Sequence, residues 1–432
     1  MERKIVNNLK LWKDNPDRQP LLLQGARQVG KTYTVLSFGK ENYKNVAYFS
    51  MEDTVEVSTV FERDLNPERI VRELSARGGH TIMPGETLIV FDEIQACERA
   101  LTSLKYFAEN APHYHVIATG SLLGVALKRE KYSFPVGKVD MLRLHPMDFE
   151  EFLLATGYEN LCGLIREAYE NFFPLSLHDT AMDLYKTYLA VGGMPRVVRE
   201  YVEKRDFDFV AVHQRSLNDS YVADMAKYAA PQETVRIMAA WASVPAQLAK
   251  DNRKFQYKTI KSGARAKDYE VALDWLNAAG MINKCVHITE GKPPLPAYAE
   301  NDTFKVYMVD TGILCSKSNV AVNALLYSPH SFDGFKGALA ENYIMQAMVA
   351  NGITPYYWTS PGKAEVDFIF QDRQGNVIPL EAKSADNVRA KSLRYYCDLY
   401  KPVYSVRVSA KNFGNENGIK SIPLYAAFCL TA

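Results

Sequence analysis

The chain has 432 residues, which is enough for two to four domains of ordinary size. Apolar residues make up 47% and charged residues 23%, a balance that excludes a disordered or collagen-like chain. Lys and Arg number 51 against 50 for Asp and Glu, so any nucleic-acid partner must be bound by a local basic patch. No apolar run approaches the roughly 18 residues of a membrane-spanning helix, and no signal peptide or paired cysteine motif is evident. We therefore expect a cytoplasmic protein without a disulfide framework.

Short apolar runs alternate with helix-like stretches from residue 18 to about 150. Because runs that are apolar throughout suit strands buried on both faces, this alternation predicts an α/β domain with a parallel sheet. Helical periodicity dominates from about 150 to 300. Alternating runs then return and predict a second α/β domain. The predicted strands are 21–23, 46–49, 87–91 and 115–119 in the first domain, and 304–309, 356–358, 366–370, 377–380 and 403–408 in the second.

A phosphate-binding loop directly follows the first predicted strand. The pattern G-x-x-x-x-G-K-T is formed by Gly25, Ala26, Arg27, Gln28, Val29, Gly30, Lys31 and Thr32. Glycines let such a loop wrap a phosphate chain, so that backbone N–H groups and a helix N-terminus face the phosphate oxygens. We expect Lys31 to reach the outer phosphates and Thr32 to bind magnesium. The sequence thus predicts an ATP site.

Acids and hydroxyls follow two later strands, where ligands collect in sheets of this kind. The third strand ends at Asp92-Glu93, which predicts a magnesium-binding aspartate and a glutamate that deprotonates the attacking water. The fourth strand ends near Thr119 and Ser121, either of which is a candidate to sense the terminal phosphate. A helix N-cap is the alternative for Ser121.

These motifs resemble the prokaryotic AAA-type ATPases, of the AAA+ superfamily, that carry a C-terminal domain of unknown function. The segments that carry the resemblance are 25–32, 91–95, 118–121, 144–152, 188–195, 263–266 and 340–342. It implies ATP hydrolysis and a helical lid, in which Gly193 to Pro195 looks similar to an element that contacts the nucleotide base. A plain turn is the alternative for that element. No arginine finger is obvious, and Arg129, Lys138 and Arg143 are the candidates.

Residues 236 to 290 have the pattern of a winged helix. The expected helices are 241–248, one beginning near Tyr257, and 266–279, followed by a strand over 281–288. Segment 250–267 has a net charge of +6, which suits a phosphate backbone. Its candidate nucleic-acid contacts are Arg253, Lys254, Lys258, Lys261, Arg265 and Lys267. Acidic residues on the expected third helix favour the alternative, a protein-docking winged helix.

A second group of chemical residues lies near the C-terminus. Strand alternation puts Glu365 and Asp367 on one face of their strand. It likewise puts Glu381 and Lys383 on one face of the next strand. Glu341 lies on a predicted helix. Clustered carboxylates bind Mg²⁺ or Mn²⁺, and an adjacent lysine positions water or offsets phosphate charge.

This pattern resembles the restriction-endonuclease-like nuclease superfamily, which implies metal ligation by Glu341, Asp367 and Glu381 and a catalytic role for Lys383. The proline that often precedes the aspartate is replaced by Val366. A nuclease fold that binds without cutting is the alternative.

Four domains are predicted. They are a P-loop AAA-type ATPase domain over 1–155, a helical lid over 156–235, a winged helix over 236–300 and a restriction-endonuclease-like α/β domain over 301–432. Two functions remain open: an ATP-dependent enzyme acting on nucleic acid with a metal-dependent nuclease domain, or a nucleotide-switched regulator whose C-terminal domain binds a protein or nucleic acid without cleavage. No membrane contact is expected, and the sequence does not specify the oligomeric state.

Overall fold

A computed structural model describes residues 1–52, 55–79, 81–121, 135–250, 253–327, 333–362, 364–384, 391–416 and 418–431. The chain forms two compact units. The N-terminal unit comprises Arg3–His145 with Ala278–Gly280, and the C-terminal unit comprises Met1–Glu2, Pro146–Asn277 and Met281–Ala432. Within the described ranges, no helix combines the length and the apolar character that crossing a membrane requires.

The N-terminal unit contains a parallel sheet, as predicted, but it has five strands instead of the four that the sequence predicts. Its strands are β1 (Leu21–Gln24), β2 (Asn45–Ser50), β3 (Thr87–Asp92), β4 (His115–Gly120) and β5 (Asp140–Arg143). Their order in space is β2-β3-β4-β1-β5, so that β4 lies between β1 and β3. The expected α/β fold of a P-loop domain is confirmed.

Both faces of this sheet are covered. The helices are α1 (Ile5–Asp14), α2 (Lys31–Asn42), α3 (Val55–Thr59), α4 (Pro67–Gly78) and α5 (Glu98–Asn110). Alternation along β1 sends Leu21 and Leu23 into one apolar cluster with Phe38, and Leu22 into the opposite cluster with Phe107. This two-sided burial explains why the strand is apolar throughout.

Helices form the first half of the C-terminal unit. They are α6 (Phe149–Thr156), α7 (Glu159–Asn171), α8 (His178–Val191), α9 (Pro195–Lys204), α10 (Phe207–Tyr228), α11 (Pro231–Leu248) and α12 (Ala266–Ala278). Among the described residues further along the chain, four more helices follow: α13 (Thr311–Lys317), α14 (Val322–Tyr327), α15 (Asp333–Ala350) and α16 (Lys391–Tyr400).

An eight-stranded mixed sheet forms the second half of this unit. Its strands are β6 (Ile282–Ile288), β7 (Ala299–Met308), β8 (Tyr356–Thr359), β9 (Glu365–Gln371), β10 (Val377–Ala382), β11 (Ser405–Ser409), β12 (Gly414–Glu416) and β13 (Ile419–Pro423). The order is β12-β13-β11-β10-β9-β8-β6-β7. The domain boundary predicted at residue 300 falls inside β7, which pairs antiparallel with β6, so one sheet spans that position.

Over residues 236–290, where a winged helix is predicted, the structure has two of the three expected helices. The expected first and third helices correspond to α11 and α12. At the expected second helix, the structure has only a three-residue 3-10 turn, Tyr257–Thr259. The preceding residues pair with β7 instead, since Phe255 N donates to Phe304 O at 2.8 Å and Lys254 forms a β-bridge with Lys305.

Candidate functional site

The phosphate loop lies between β1 and α2, and glycine is required at both of its ends. A Cβ atom on Gly25 would lie less than 3.0 Å from the carbonyl oxygen of Leu144, closer than real Cβ atoms come. Gly30 has a left-handed φ of 95° and caps the N-terminus of α2. Gln28 is also left-handed, with φ 61°. The chain therefore turns tightly and brings the helix N-terminus to the loop, as anion binding requires.

Lys31 is held over this loop. Its ammonium nitrogen donates to the carbonyl oxygens of Gly25 at 3.0 Å and Ala26 at 3.1 Å. The side chain is 5% exposed. A cation fixed by the same loop that presents backbone N–H groups is positioned to pair with phosphate oxygens.

Asp92, at the end of β3, joins residues from three other elements. Thr32 Oγ1 lies 3.0 Å from both carboxylate oxygens, and Tyr48 OH donates to Oδ2 at 2.8 Å. Thr119 Oγ1 donates to Oδ1. The residues predicted to share a magnesium ion, Thr32 and Asp92, are thus in contact and offer the hard oxygen ligands that Mg²⁺ prefers. Tyr48 was not predicted.

Glu93 has a strained backbone and a defined set of partners. Its φ of 49° is in the left-handed region, which is uncommon for a residue with a side chain. Glu93 Oε2 accepts from Gln95 Nε2 at 2.5 Å and from Ser121 Oγ at 3.2 Å. The two predicted hydroxyls therefore divide between the acids, with Thr119 on Asp92 and Ser121 on Glu93.

The turn from Gly193 to Pro195, where α9 begins, lies in the C-terminal unit. Gly193 N donates to Asp310 Oδ2 at 2.5 Å, and Met147 N donates to Gly193 O at 2.7 Å. Burial raises the pKa of Asp310 to about 6, although the hydrogen bonds that it accepts from backbone N–H groups act to lower that pKa. Asp310, which sequence reasoning missed, thus fixes this turn. Contact of Pro195 with a nucleotide base stays a prediction.

The candidates for an arginine finger have different environments. Lys138 pairs with Glu109 at 3.3 Å. Burial lowers the pKa of Arg143, which lies at the end of β5. Arg129 lies outside the described residues.

The C-terminal residues Asp367, Glu381 and Lys383 lie together on β9 and at the end of β10. Lys383 Nζ is 2.9 Å from Glu381 Oε1, and Asp367 Oδ2 accepts from Ala382 N at 2.9 Å. Burial raises the pKa of Glu381, and the nearby Lys383 opposes this rise. Burial alone would lower the pKa of Lys383, but the charges of Asp367 and Glu381 outweigh it and raise that pKa. Glu381 Oε2 is buried and has no hydrogen-bond partner.

Glu341, the third predicted metal ligand, is engaged by other groups. Arg253 Nη1 donates to its Oε1, and Tyr307 OH donates to its Oε2 at 3.1 Å. Lys305 Nζ lies 4.0 Å from the same Oε2 and 2.5 Å from Glu365 Oε1. Across the described ranges, no three His, Cys, Asp or Glu residues are grouped so that they could hold a metal ion. Asp367 and Glu381 therefore lie together, whereas Glu341 is paired with Arg253, and metal binding by these residues stays a prediction.

The basic residues of segment 250–267 divide into two groups. Arg253 is partly buried against Glu341, so it does not lie with the surface cations. Lys250 is also partly buried and donates to Gln256 Oε1 at 3.3 Å. The exposed members are Lys254, Lys258, Lys261, Arg265 and Lys267. Lys391, at the start of α16, is also exposed.

A comparison with known families supports the reading of the N-terminal unit. Residues 17–153 match the model of an AAA domain, which together with the phosphate loop makes this part of the chain a P-loop, AAA-type ATPase domain that binds ATP. Two other segments match domains of unknown function, DUF8612 at residues 182–323 and DUF4143 at residues 336–427. No protein with a curated function matches the chain.

Several solved structures are distantly similar. The Walker-type ATPase paby2304 of Pyrococcus abyssi has a TM-score of 0.45 and 15% identity, over 73% of this chain and 95% of that one. The RuvB Holliday junction branch migration motor of Thermotoga maritima has a TM-score of 0.32 and 16% identity, over 71% and 92%. The Aeropyrum pernix ORC1 protein, solved in complex with DNA, has a TM-score of 0.30 and 12% identity, over 75% and 92%.

Proposed function

We propose that the chain hydrolyses ATP with Mg²⁺ and uses this cycle to act on nucleic acid. The proposal of ATP hydrolysis rests on the contacts that Asp92 makes with Thr32, Thr119 and Tyr48. Glu93 follows Asp92 directly in the sequence. A magnesium-positioning acid followed by a second acid at a sheet edge favours hydrolysis, because one residue is needed for the ion and another for the water.

Each residue has a distinct role in this proposal. Backbone N–H groups of 25–30 and the start of α2 bind the phosphates, and Lys31 exchanges its two carbonyl partners for phosphate oxygens. Thr32 and Asp92 hold Mg²⁺, which neutralises charge on the phosphate oxygens. Glu93 accepts a proton from the attacking water, and Ser121 and Gln95 orient its carboxylate.

Measurements of ATP binding and ATP turnover in single variants distinguish these roles. Lys31→Ala should weaken ATP binding measured by calorimetry. Glu93→Gln should preserve the affinity but lower kcat by about 100-fold or more, because general-base catalysis contributes that much. Glu98→Gln, the same chemical change at an exposed residue of α5, is the matched control. Hydrolysis at the wild-type rate in both Lys31→Ala and Glu93→Gln would contradict the assignment.

The proposal that the protein acts on nucleic acid rests on the exposed basic residues between 254 and 267. They lie in an otherwise balanced chain, where a local cluster is the feature that suits a phosphate backbone. In the same proposal, Asp367 and Glu381 hold one divalent ion, and Lys383 offsets charge on a scissile phosphate.

A second candidate function is a nucleotide-switched regulator whose C-terminal unit binds without cutting. The pairing of Glu341 with Arg253 favours it, since a carboxylate already neutralised is a poor metal ligand. Manganese calorimetry combined with cleavage assays on several DNA and RNA substrates decides between the two. Asp367→Asn and Glu381→Gln should abolish metal binding, and Lys383→Ala should spare the metal but stop cleavage. Metal binding without cleavage of any substrate would favour the regulator.

A further inference from the structure

A buried arginine near the N-terminus contacts the phosphate loop. Arg3 lies two residues before α1, is 8% exposed, and belongs to the N-terminal unit. Its Nη1 donates to the carbonyl oxygen of Val29 at 3.0 Å, and its Nη2 donates to that of His145 at 2.6 Å. The guanidinium therefore connects the phosphate loop to the end of the segment that follows β5. Arg3 lies outside residues 17–153, which match the AAA domain, and the sequence analysis did not single it out.

Apolar packing keeps Arg3 next to the loop. Leu9 and Trp12, both on α1, belong to the same buried apolar cluster as Val29 of the loop, and Ile5 at the start of α1 packs against that cluster. Because the helix and the loop share one core, the residue that precedes the helix is held beside the loop. Burying a guanidinium costs free energy unless its N–H groups find acceptors, and two backbone carbonyl groups supply them here.

The hydrogen bond from Arg3 fixes the direction of a phosphate-binding group. The peptide bonds of the loop are trans. In a trans peptide, the carbonyl group of one residue and the N–H group of the next point in opposite directions. By holding the carbonyl of Val29, Arg3 therefore sets the direction of the Gly30 N–H, one of the groups at the start of α2 that face the phosphates in the proposed function.

We propose that Arg3 is a positioning residue that keeps the phosphate loop in the shape that binds ATP, an inference that rests on ATP binding at this loop. Lys31 also holds loop carbonyl groups, but in the proposed function it exchanges them for phosphate oxygens. Arg3 keeps its two carbonyl partners when ATP arrives, so one peptide group of the loop stays fixed throughout. A loop that is ordered beforehand loses less conformational freedom on binding, which increases the affinity.

Calorimetric titration of the full chain with ATP, together with steady-state hydrolysis, tests this role. Arg3→Gln should weaken the ATP affinity by roughly tenfold, because a loop that has the binding shape one-tenth of the time has one-tenth of the apparent affinity. KM should rise by a similar factor while kcat stays within about twofold, since the loss affects the bound substrate and the transition state equally. Arg72→Gln, the same change at an exposed residue of α4, is the matched control and should leave affinity and KM unchanged.

The outcomes separate this inference from the ATP site itself. Wild-type affinity in Arg3→Gln, combined with weak binding in Lys31→Ala, would overturn the role of Arg3 and leave the ATP site standing. A lower kcat with unchanged KM would also overturn it, because a merely structural defect reduces the folded fraction without changing KM. No ATP binding by the wild-type chain would overturn both.

A second variant covers the case in which Arg3→Gln does not fold. Arg3→Lys keeps the charge but not the planar fork of two nitrogens that reaches two carbonyl groups, so the ATP affinity should still fall several-fold. Wild-type affinity in Arg3→Lys would then refute the inference.

Discussion

Gly193 is the position where one added methyl group should do most damage. A Cβ atom there would lie less than 3.0 Å from the carbonyl oxygen of Met147, and that neighbour is backbone rather than a flexible side chain. Because a backbone carbonyl cannot rotate away, Gly193→Ala must separate the two chain segments.

The cost follows from the contacts that this movement would break. Gly193 N donates to the carboxylate of Asp310 at 2.5 Å, and Met147 N donates to Gly193 O at 2.7 Å. A hydrogen bond to a charged group contributes about 1.5–3 kcal/mol and a neutral one about 1 kcal/mol. With both weakened and Asp310 left buried, we expect Gly193→Ala to destabilise the C-terminal unit by about 3–4 kcal/mol.

Gly163 provides the matched control. It is exposed on α7, and a Cβ atom there meets nothing within 4 Å. Alanine favours a helix over glycine by about 0.8–1 kcal/mol, so Gly163→Ala should stabilise the same unit slightly. Three of the four tryptophans, Trp241, Trp275 and Trp358, lie in this unit, and Trp12 lies in the N-terminal unit, so urea unfolding followed by tryptophan fluorescence reports mainly on the C-terminal unit.

The contrast between the two alanine variants is the test. If Gly193→Ala unfolds at the same urea concentration as Gly163→Ala or the wild type, the close contact with Met147 and the role of Asp310 in fixing the turn are both wrong.

Three further predictions concern charged groups. The pKa of Asp310, raised to about 6, makes the folded state keep a proton that the unfolded chain releases near pH 4, so stability should fall by about 2 kcal/mol as pH rises from 4 to 7. Asp310→Asn should lack that fall in urea unfolding, and an unchanged pH profile would refute the assignment. Reversing Lys254, Lys258 and Lys261 should weaken DNA binding and reduce the slope of log affinity against log salt by about 3, whereas unchanged binding would place the contact elsewhere. Asp148→Ala should cost about 1 kcal/mol in thermal unfolding, because the carboxylate caps the first turn of α6; a wild-type midpoint would contradict this.

The phosphate loop was readable from sequence because its chemistry fixes both spacing and residue type. Glycines at 25 and 30 and the lysine at 31 are required locally, and the strand and helix on either side have clear patterns. The partners of Asp92 were harder to predict. Tyr48 belongs to β2 and Thr119 to β4, so their meeting at Asp92 depends on the strand order β2-β3-β4. Residue patterns along one strand do not specify that order.

The group of charged residues near the C-terminus was predictable in its acids and in Lys383, but not in the cations Arg253 and Lys305. Asp367, Glu381 and Lys383 follow from strand alternation and one neighbouring pair of strands. Arg253 lies next to Lys254, which pairs with β7, and the sequence did not predict this pairing. A basic run of this kind has the same sequence pattern whether its arginine faces solvent or a buried glutamate.

The position of β1 in its sheet has a consequence for synthesis of the chain. β1 ends at Gln24, but its two neighbours begin only at His115 and Asp140, whereas β2 and β3 are consecutive and pair with each other. On the ribosome, β1 therefore emerges long before either partner strand exists, and its apolar residues stay without a sheet until then. The phosphate loop that follows β1 therefore lies beside its neighbouring strands only after residues 115–143 have been made. A chain truncated before His115 would contain the complete sequence of the phosphate loop, but β1 would lack both of its neighbouring strands.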